Sequence, residues 1–232
     1  MLQVKNLSIW YTKGKNIIDK CNFDLGKNSI IGLLGVNGAG KTTLINTISG
    51  IHKKYNVDKV LYCNNACSFA EDDFRLERYT VFSDEQAFKY WTFIEYKSYI
   101  EKVYKKKIDQ EYLYYLLEGF RFGEYQNQFI KNLSTGNKKK VFLITGFALR
   151  LPLLLLDEPL DGLDFGAAEF LYTAIKEYKD FGSVLMSSHI AESFERTCDK
   201  ILLLDQGQLS EKSISSNIDI RKELKEWLDD RK

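Results

Sequence analysis

The chain has 232 residues, 44% hydrophobic and 28% charged, with two prolines, enough to bury the core of one large domain or two small ones and too unbiased for a disordered, collagen-like or multispan membrane protein. Its 33 basic and 32 acidic residues leave a formal charge of +1, so no global field favours nucleic acid and any partner has to be recognised locally. Cys21, Cys63, Cys67 and Cys198 are too few and too scattered for a disulfide framework, and point to reduced thiols.

In chain order, residues 2–11 and 21–25 alternate apolar and polar side chains and read as antiparallel strands with one face on a core. Nothing in this opening segment has the basic-then-apolar pattern of a secretory signal. Residues 29–34 form a continuous apolar run ending at glycine, which suits a strand buried on both faces; residues 42–51 follow with helical spacing. Residues 59–62 and 79–82 read as further strands. From 84 to 150 the texture changes, and residues 86–104, 110–120 and 137–149 are expected to be helices. Strand character returns at 153–157, 183–187 and 200–205, with helices at 165–179 and 190–198 between them. The most apolar stretch, 141–156, is broken by Arg150 and Pro152, short of the ~18 to 20 residues a spanning helix needs. The pattern predicts an α/β chain: a mainly parallel sheet with an antiparallel N-terminal β part in residues 1–83 and 151–210, an inserted helical subdomain in 84–150, and a polar tail, 211–232, with a short helix from Ile218.

The strongest chemical signal is Gly35-Val36-Asn37-Gly38-Ala39-Gly40-Lys41-Thr42-Thr43, which satisfies Gly, four residues, Gly, Lys, Ser/Thr between a predicted strand and a predicted helix. Such a loop curls so that successive N–H groups point at phosphate oxygens, and the helix presents its positive end to the same anion. Lys41 is expected to reach the β- and γ-phosphates, and Thr42 to offer a hydroxyl to Mg²⁺. The four leucines 153–156 then deliver Asp157 and Glu158 at the carboxyl end of a buried strand, where parallel sheets bind ligands. The first carboxylate suits Mg²⁺ and the second the polarising of an attacking water.

With these motifs in this order, nearly the whole chain resembles the ATP-binding cassette family, the ATPase subunits of ABC transporters, with a P-loop NTPase core. Leu133-Ser134-Thr135-Gly136-Asn137 is similar to the family's signature loop, with Thr135 and Asn137 in place of the usual glycine and glutamine. Asp161-Gly162-Leu163-Asp164 resembles the loop that exchanges contacts between two subunits, and His189 occupies the position of the switch histidine. Tyr11, with Trp10 beside it, falls where an aromatic usually stacks on adenine. Asp84 stands at the glutamine-loop position, or Gln86 does if the register slips by two. An Asp-Glu pair here is similar to exporters of the bacitracin and lantibiotic-resistance group.

The resemblance implies ATP and Mg²⁺ as ligands, with Glu158, His189 and Lys41 catalytic. It implies nucleotide contacts from Tyr11, Gly35, Asn37, Gly38, Ala39, Gly40, Lys41, Thr42 and Thr43, completed by Ser134, Gly136, Asn137 and Asp164 of a second subunit, and metal contacts from Thr42, Asp84 and Asp157. It further implies a homodimer or a heterodimer with another ATPase subunit, a separate transmembrane permease, a position on the cytoplasmic face of the membrane, and export of a peptide, antibiotic or lipid. A soluble cassette serving iron–sulfur assembly is the rival reading; nucleic-acid work is not expected. Aromatic residues crowd 88–130, among them Phe88, Tyr90, Trp91, Tyr99, Tyr104, Tyr114 and Tyr115, and residues 89–140 hold eleven basic and six acidic side chains. Both features suit a face that meets a membrane partner.

Overall fold

A computed structural model of the chain describes residues 1–213. It opens with a long hairpin, β1 (Leu2–Thr12) and β2 (Lys15–Leu25), in which Leu2, Val4, Leu7 and Ile9 are buried while Gln3 and Lys5 are exposed. The buried positions step by two on either side of a register shift between Val4 and Leu7, where Asn6 takes a positive φ, as in a strand with one covered face interrupted by an irregularity. Next come β3 (Ile30–Leu34) and α1 (Lys41–Ile48), then the short strands β4 (Tyr55–Asn56), β5 (Lys59–Tyr62) and β6 (Asn65–Ala66). A turn of helix, α2 (Asp72–Leu76), leads into β7 (Arg78–Val81). The helical region between β7 and the next strand comprises α3 (Phe93–Val103), α4 (Gln110–Gly119) and α5 (Thr135–Leu149). The chain then alternates through β8 (Leu153–Leu156), α6 (Phe165–Glu177), β9 (Ser183–Ser187), α7 (Ala191–Thr197), β10 (Lys200–Asp205) and β11 (Gln208–Ser213).

Two sheets result. β2-β1-β5-β6, with β4 paired to β1, is antiparallel; β11-β10-β3-β9-β8-β7 is parallel except for the β10–β11 hairpin. The larger sheet is covered on both faces. Leu153 and Leu155 of β8, with Leu33 and Leu185, pack with the N-terminal sheet and α1; Leu154 and Leu156, with Val184 and Met186, pack with α3 to α6. A strand so placed has no solvent face, which is why β8 reads as unbroken leucine. α5 is buried from Lys139 to Leu149, a helix enclosed on every side.

The sequence expectations need several corrections. β2 begins at Lys15, six residues before residue 21, its first half being too polar to betray a strand. The helix expected over 86–104 begins only at Phe93, because Thr92 and Glu95 form a reciprocal capping box that fixes the start there. The signature helix begins at Thr135, two residues earlier than expected, with Ser134 as its cap. β4 and β6, of two residues each, and α2, of five, are too short to carry a periodicity in the sequence. Glu211–Ser213, assigned to the polar tail, belongs to β11; the helix expected from Ile218 lies outside the described residues.

Candidate active site

The loop after β3 turns through Gly38 (φ 82°) and Gly40 (φ 109°) before α1 begins at Lys41. At Gly40 a side chain would be strained by the backbone and would also lie 2.7 Å from Ile17 Cγ2, so only glycine fits. Lys41 is buried, and its ammonium donates to the Gly35 carbonyl at 2.9 Å. The loop is thus tied across its own mouth. Beside it lies a cleft of about 400 Å³ lined by Tyr11, Asn37, Thr42, Thr43, Ser83 and Glu158, among others. Tyr11 is half exposed, its hydroxyl 3.2 Å from Thr43 Oγ1 and its ring edge-on to His52; its neighbour Trp10 is not part of this lining.

β8 delivers the two carboxylates to the same end of the sheet. Asp157 is fully buried; its Oδ1 accepts from Ser187 Oγ at 2.7 Å, while Oδ2 has no hydrogen-bond partner among the described residues. A buried carboxylate oxygen left open suits a hard cation or its water. Glu158 adopts a left-handed backbone, φ 46°, a conformation that a bulky residue holds only where its surroundings impose it. Its N–H donates to Ser187 Oγ at 2.9 Å. Its carboxylate lies between two groups, with Oε1 3.7 Å from Lys41 Nζ and Oε2 accepting from His189 Nδ1 at 2.9 Å. An Asp161 carboxylate oxygen joins this group, the Glu158, Asp161 and His189 donor atoms all lying within 4.8 Å of one another.

The remaining predicted residues gather elsewhere. Ser134 caps α5, its Oγ accepting the Asn137 N–H at 3.2 Å. Gly136 packs against the 161–164 loop, where a β-carbon would lie 2.2 Å from the Gly162 carbonyl oxygen. Asp164 is engaged twice, capping α6 through the Ala167 N–H and pairing with Lys140 at 2.8 Å. Lys140, and after it the Ala167 N–H, hold the Asp164 carboxyl below the usual carboxylate range. These four residues do not line the Lys41 cleft of their own chain. Asp84 is exposed and accepts from Gln86 Nε2, and Ser83 reaches the cleft instead.

Ser83, Ser187 and Lys139 are the residues that sequence reasoning missed. Ser187 meets Asp157 because β8 and β9 are neighbours that pair Leu156 with Met186 and so bring the next residues side by side, a strand order that the sequence does not contain. Ser83 and Lys139 carry no signal either.

Residues 18–161 match the family model described as ABC transporter. The chain belongs to the ABC transporter ATPase family. Members of that family bind and hydrolyse ATP, and this ABC ATPase is accordingly an ATP hydrolase. It is 35% identical over 230 residues to the ABC transporter ATP-binding protein AlbC of Bacillus subtilis (strain 168), covering 96% of each chain. It is 30% identical to the SkfA peptide export ATP-binding protein SkfE of the same organism, over 90% of this chain and 87% of that one. A solved structure of the ATP-binding subunit of an ABC transporter superposes with a TM-score of 0.84 at 27% identity, over 97% of this ABC ATPase and 93% of its counterpart. Among the described residues no helix is long and apolar enough to cross a membrane.

Proposed function

We propose that this chain is the motor subunit of an exporter of a peptide, antibiotic or lipid, working as a dimer against a separate membrane-spanning permease on the cytoplasmic face of the membrane. The observation that carries the reading is the placement of Glu158: its carboxylate stands between the phosphate-loop lysine and His189, at the edge of a cleft large enough for a triphosphate. In this reading residues 35–43 wrap the phosphates, Lys41 neutralises their charge, and Tyr11 covers the base. Glu158 orients the attacking water and accepts its proton, while His189 steadies Glu158 and then the departing γ-phosphate. Thr42 and Asp157, with Asp84 nearer the surface, would hold Mg²⁺, which would supply positive charge beside the phosphate oxygens.

Ser134, Gly136, Asn137 and Asp164 complete the site from a second subunit, so that neither subunit works alone. That they do not line the Lys41 cleft of their own chain supports this, as does the packing of Gly136 against Gly162, which sets the two loops side by side. The peptide-export name borne by SkfE supports the substrate class. A groove of about 430 Å³ with Tyr79, Phe82, Phe88, Tyr96 and Tyr104 in its wall supports docking of a permease segment, since aromatics serve as interface anchors. The partition into a core of 1–83 and 151–210 with an inserted helical subdomain of 84–150 belongs to the same proposal.

Two variants test it by steady-state ATPase assay and light scattering. Lys41→Ala is expected to lose productive ATP binding. Glu158→Gln is expected to bind ATP, to turn over at least ~10³-fold more slowly, and to accumulate as a dimer with ATP that Ser134→Arg abolishes. Near-normal turnover of Glu158→Gln, or a dimer indifferent to nucleotide, overturns the proposal.

A further inference from the structure

Lys139 stands in α5, five residues after Ser134, and is only 7% exposed. Its ammonium donates in two directions, to the Ser83 carbonyl at 3.2 Å and to the Glu158 carbonyl at 3.1 Å. The first acceptor lines the phosphate-loop cleft; the second belongs to the residue whose carboxylate faces Lys41 and His189. Taking an ammonium out of water is costly, and two neutral carbonyls are a modest return for it.

Two local conditions explain why a cation is nevertheless placed there. The first is conformational. Glu158 is held at φ 46°, and its peptide groups are tied on both sides, the N–H by Ser187 Oγ at 2.9 Å and the carbonyl by Lys139 Nζ at 3.1 Å and by the longer bond from the Asp161 N–H at 3.3 Å. Losing the Ser187 or the Lys139 tie weakens the restraint against relaxation toward the more populated regions of backbone space, which would turn the carboxylate away. The second is charge. Burial pushes the Lys139 ammonium below the usual lysine range, and the carboxylates of Asp161, Asp157, Glu158 and Asp84 act against that.

We infer that Lys139 is a positioning residue for ATP hydrolysis: it fixes the Glu158 peptide so that the carboxylate faces the phosphate-loop cleft, and it ties that setting to the signature helix and to the chain at Ser83. The helix that Ser134 caps thereby carries the cation that sets the water-orienting group of its own chain. A displacement of α5 relative to β8 would release Glu158 without any change in the phosphate loop. The inference rests on the water-orienting role of Glu158 proposed above.

The test uses the full chain with Mg²⁺ and ATP. Lys139→Met keeps an unbranched apolar side chain and removes the ammonium; Lys139→Arg keeps the charge and the donors. Positioning groups of this kind are typically worth 10- to 100-fold, so kcat of Lys139→Met is expected to fall roughly 10- to 100-fold with KM for ATP within about threefold of the parent. Lys139→Arg should recover part of that loss. In single turnovers, adding Lys139→Met to Glu158→Gln should cost little more, because both act through one carboxylate. Lys139→Gln, shorter and neutral, gives the same reading should the methionine variant fail to fold. Parent-like kcat in the folded Met or Gln variant overturns the inference, as does a rise in KM that accounts for the whole effect, or an undiminished loss in the Glu158→Gln background. If Glu158→Gln itself turns over normally, the proposed function fails first; if it is inactive while Lys139→Met is not, only the inference about Lys139 falls.

Discussion

Replacing Ser187 with alanine removes the one oxygen that bonds both Asp157 and Glu158. The side chain is fully buried at the end of β9, donates to Asp157 Oδ1 at 2.7 Å and accepts the Glu158 N–H at 2.9 Å. A hydrogen bond to a carboxylate is worth about 1.5–3 kcal/mol and stranding a backbone N–H about 1 kcal/mol more, so the variant should be about 3 kcal/mol less stable. For a chain of this length each kcal/mol moves the midpoint by about 2–4 °C, which predicts a fall of roughly 6–12 °C in thermal unfolding at neutral pH. Ser188 provides the control: it is equally buried, but among the described residues its Oγ accepts from the Ile190 N–H alone, at 3.0 Å, so Ser188→Ala should cost about 1 kcal/mol. Calorimetry or circular dichroism gives both midpoints, and kcat should fall for the Ser187 variant alone as Glu158 loosens. Equal shifts for the two serines, or a Ser187 variant within about 1 °C of the parent, would refute the assignment of these bonds.

Asp164 gives a pH prediction. Because its carboxyl is held below the usual range by Lys140 and then by the Ala167 N–H, the ionised form adds stability above the unfolded carboxylate pKa, and that addition is lost as pH falls through the folded value. Asp164→Asn keeps a good helix cap and removes the charge, so its stability deficit in urea should shrink from neutral pH toward about pH 3; a constant deficit would show that the Lys140 pairing contributes nothing. At the glutamine-loop position, Asp84→Ala should raise the Mg²⁺ concentration needed for half-maximal ATPase activity, and Asp84→Gln should retain activity. If Gln86→Ala shifts the Mg²⁺ titration and Asp84→Ala does not, the register moves by two residues.

What the sequence determined by itself is what short stretches of chain encode. The phosphate loop is closed by a bond between Lys41 and Gly35, six residues apart, and shaped by glycine dihedrals at positions 38 and 40, so spacing and residue type suffice to read it. The leucine run of β8 announced a strand without a solvent face, and the alternation of β1 announced one with such a face. The Thr92–Glu95 capping box is equally local, spanning three residues. The support of Glu158 was not legible. Ser187 lies 29 residues from it and Lys139 19, and Lys139 reaches 56 residues back to Ser83. Those meetings depend on β8 lying between β7 and β9, and on which turn of α5 faces the strand ends. Strand order and helix rotation are settled by how the two faces of one sheet are covered at once. That is a property of the whole packed core, and the periodicity of a single segment does not contain it.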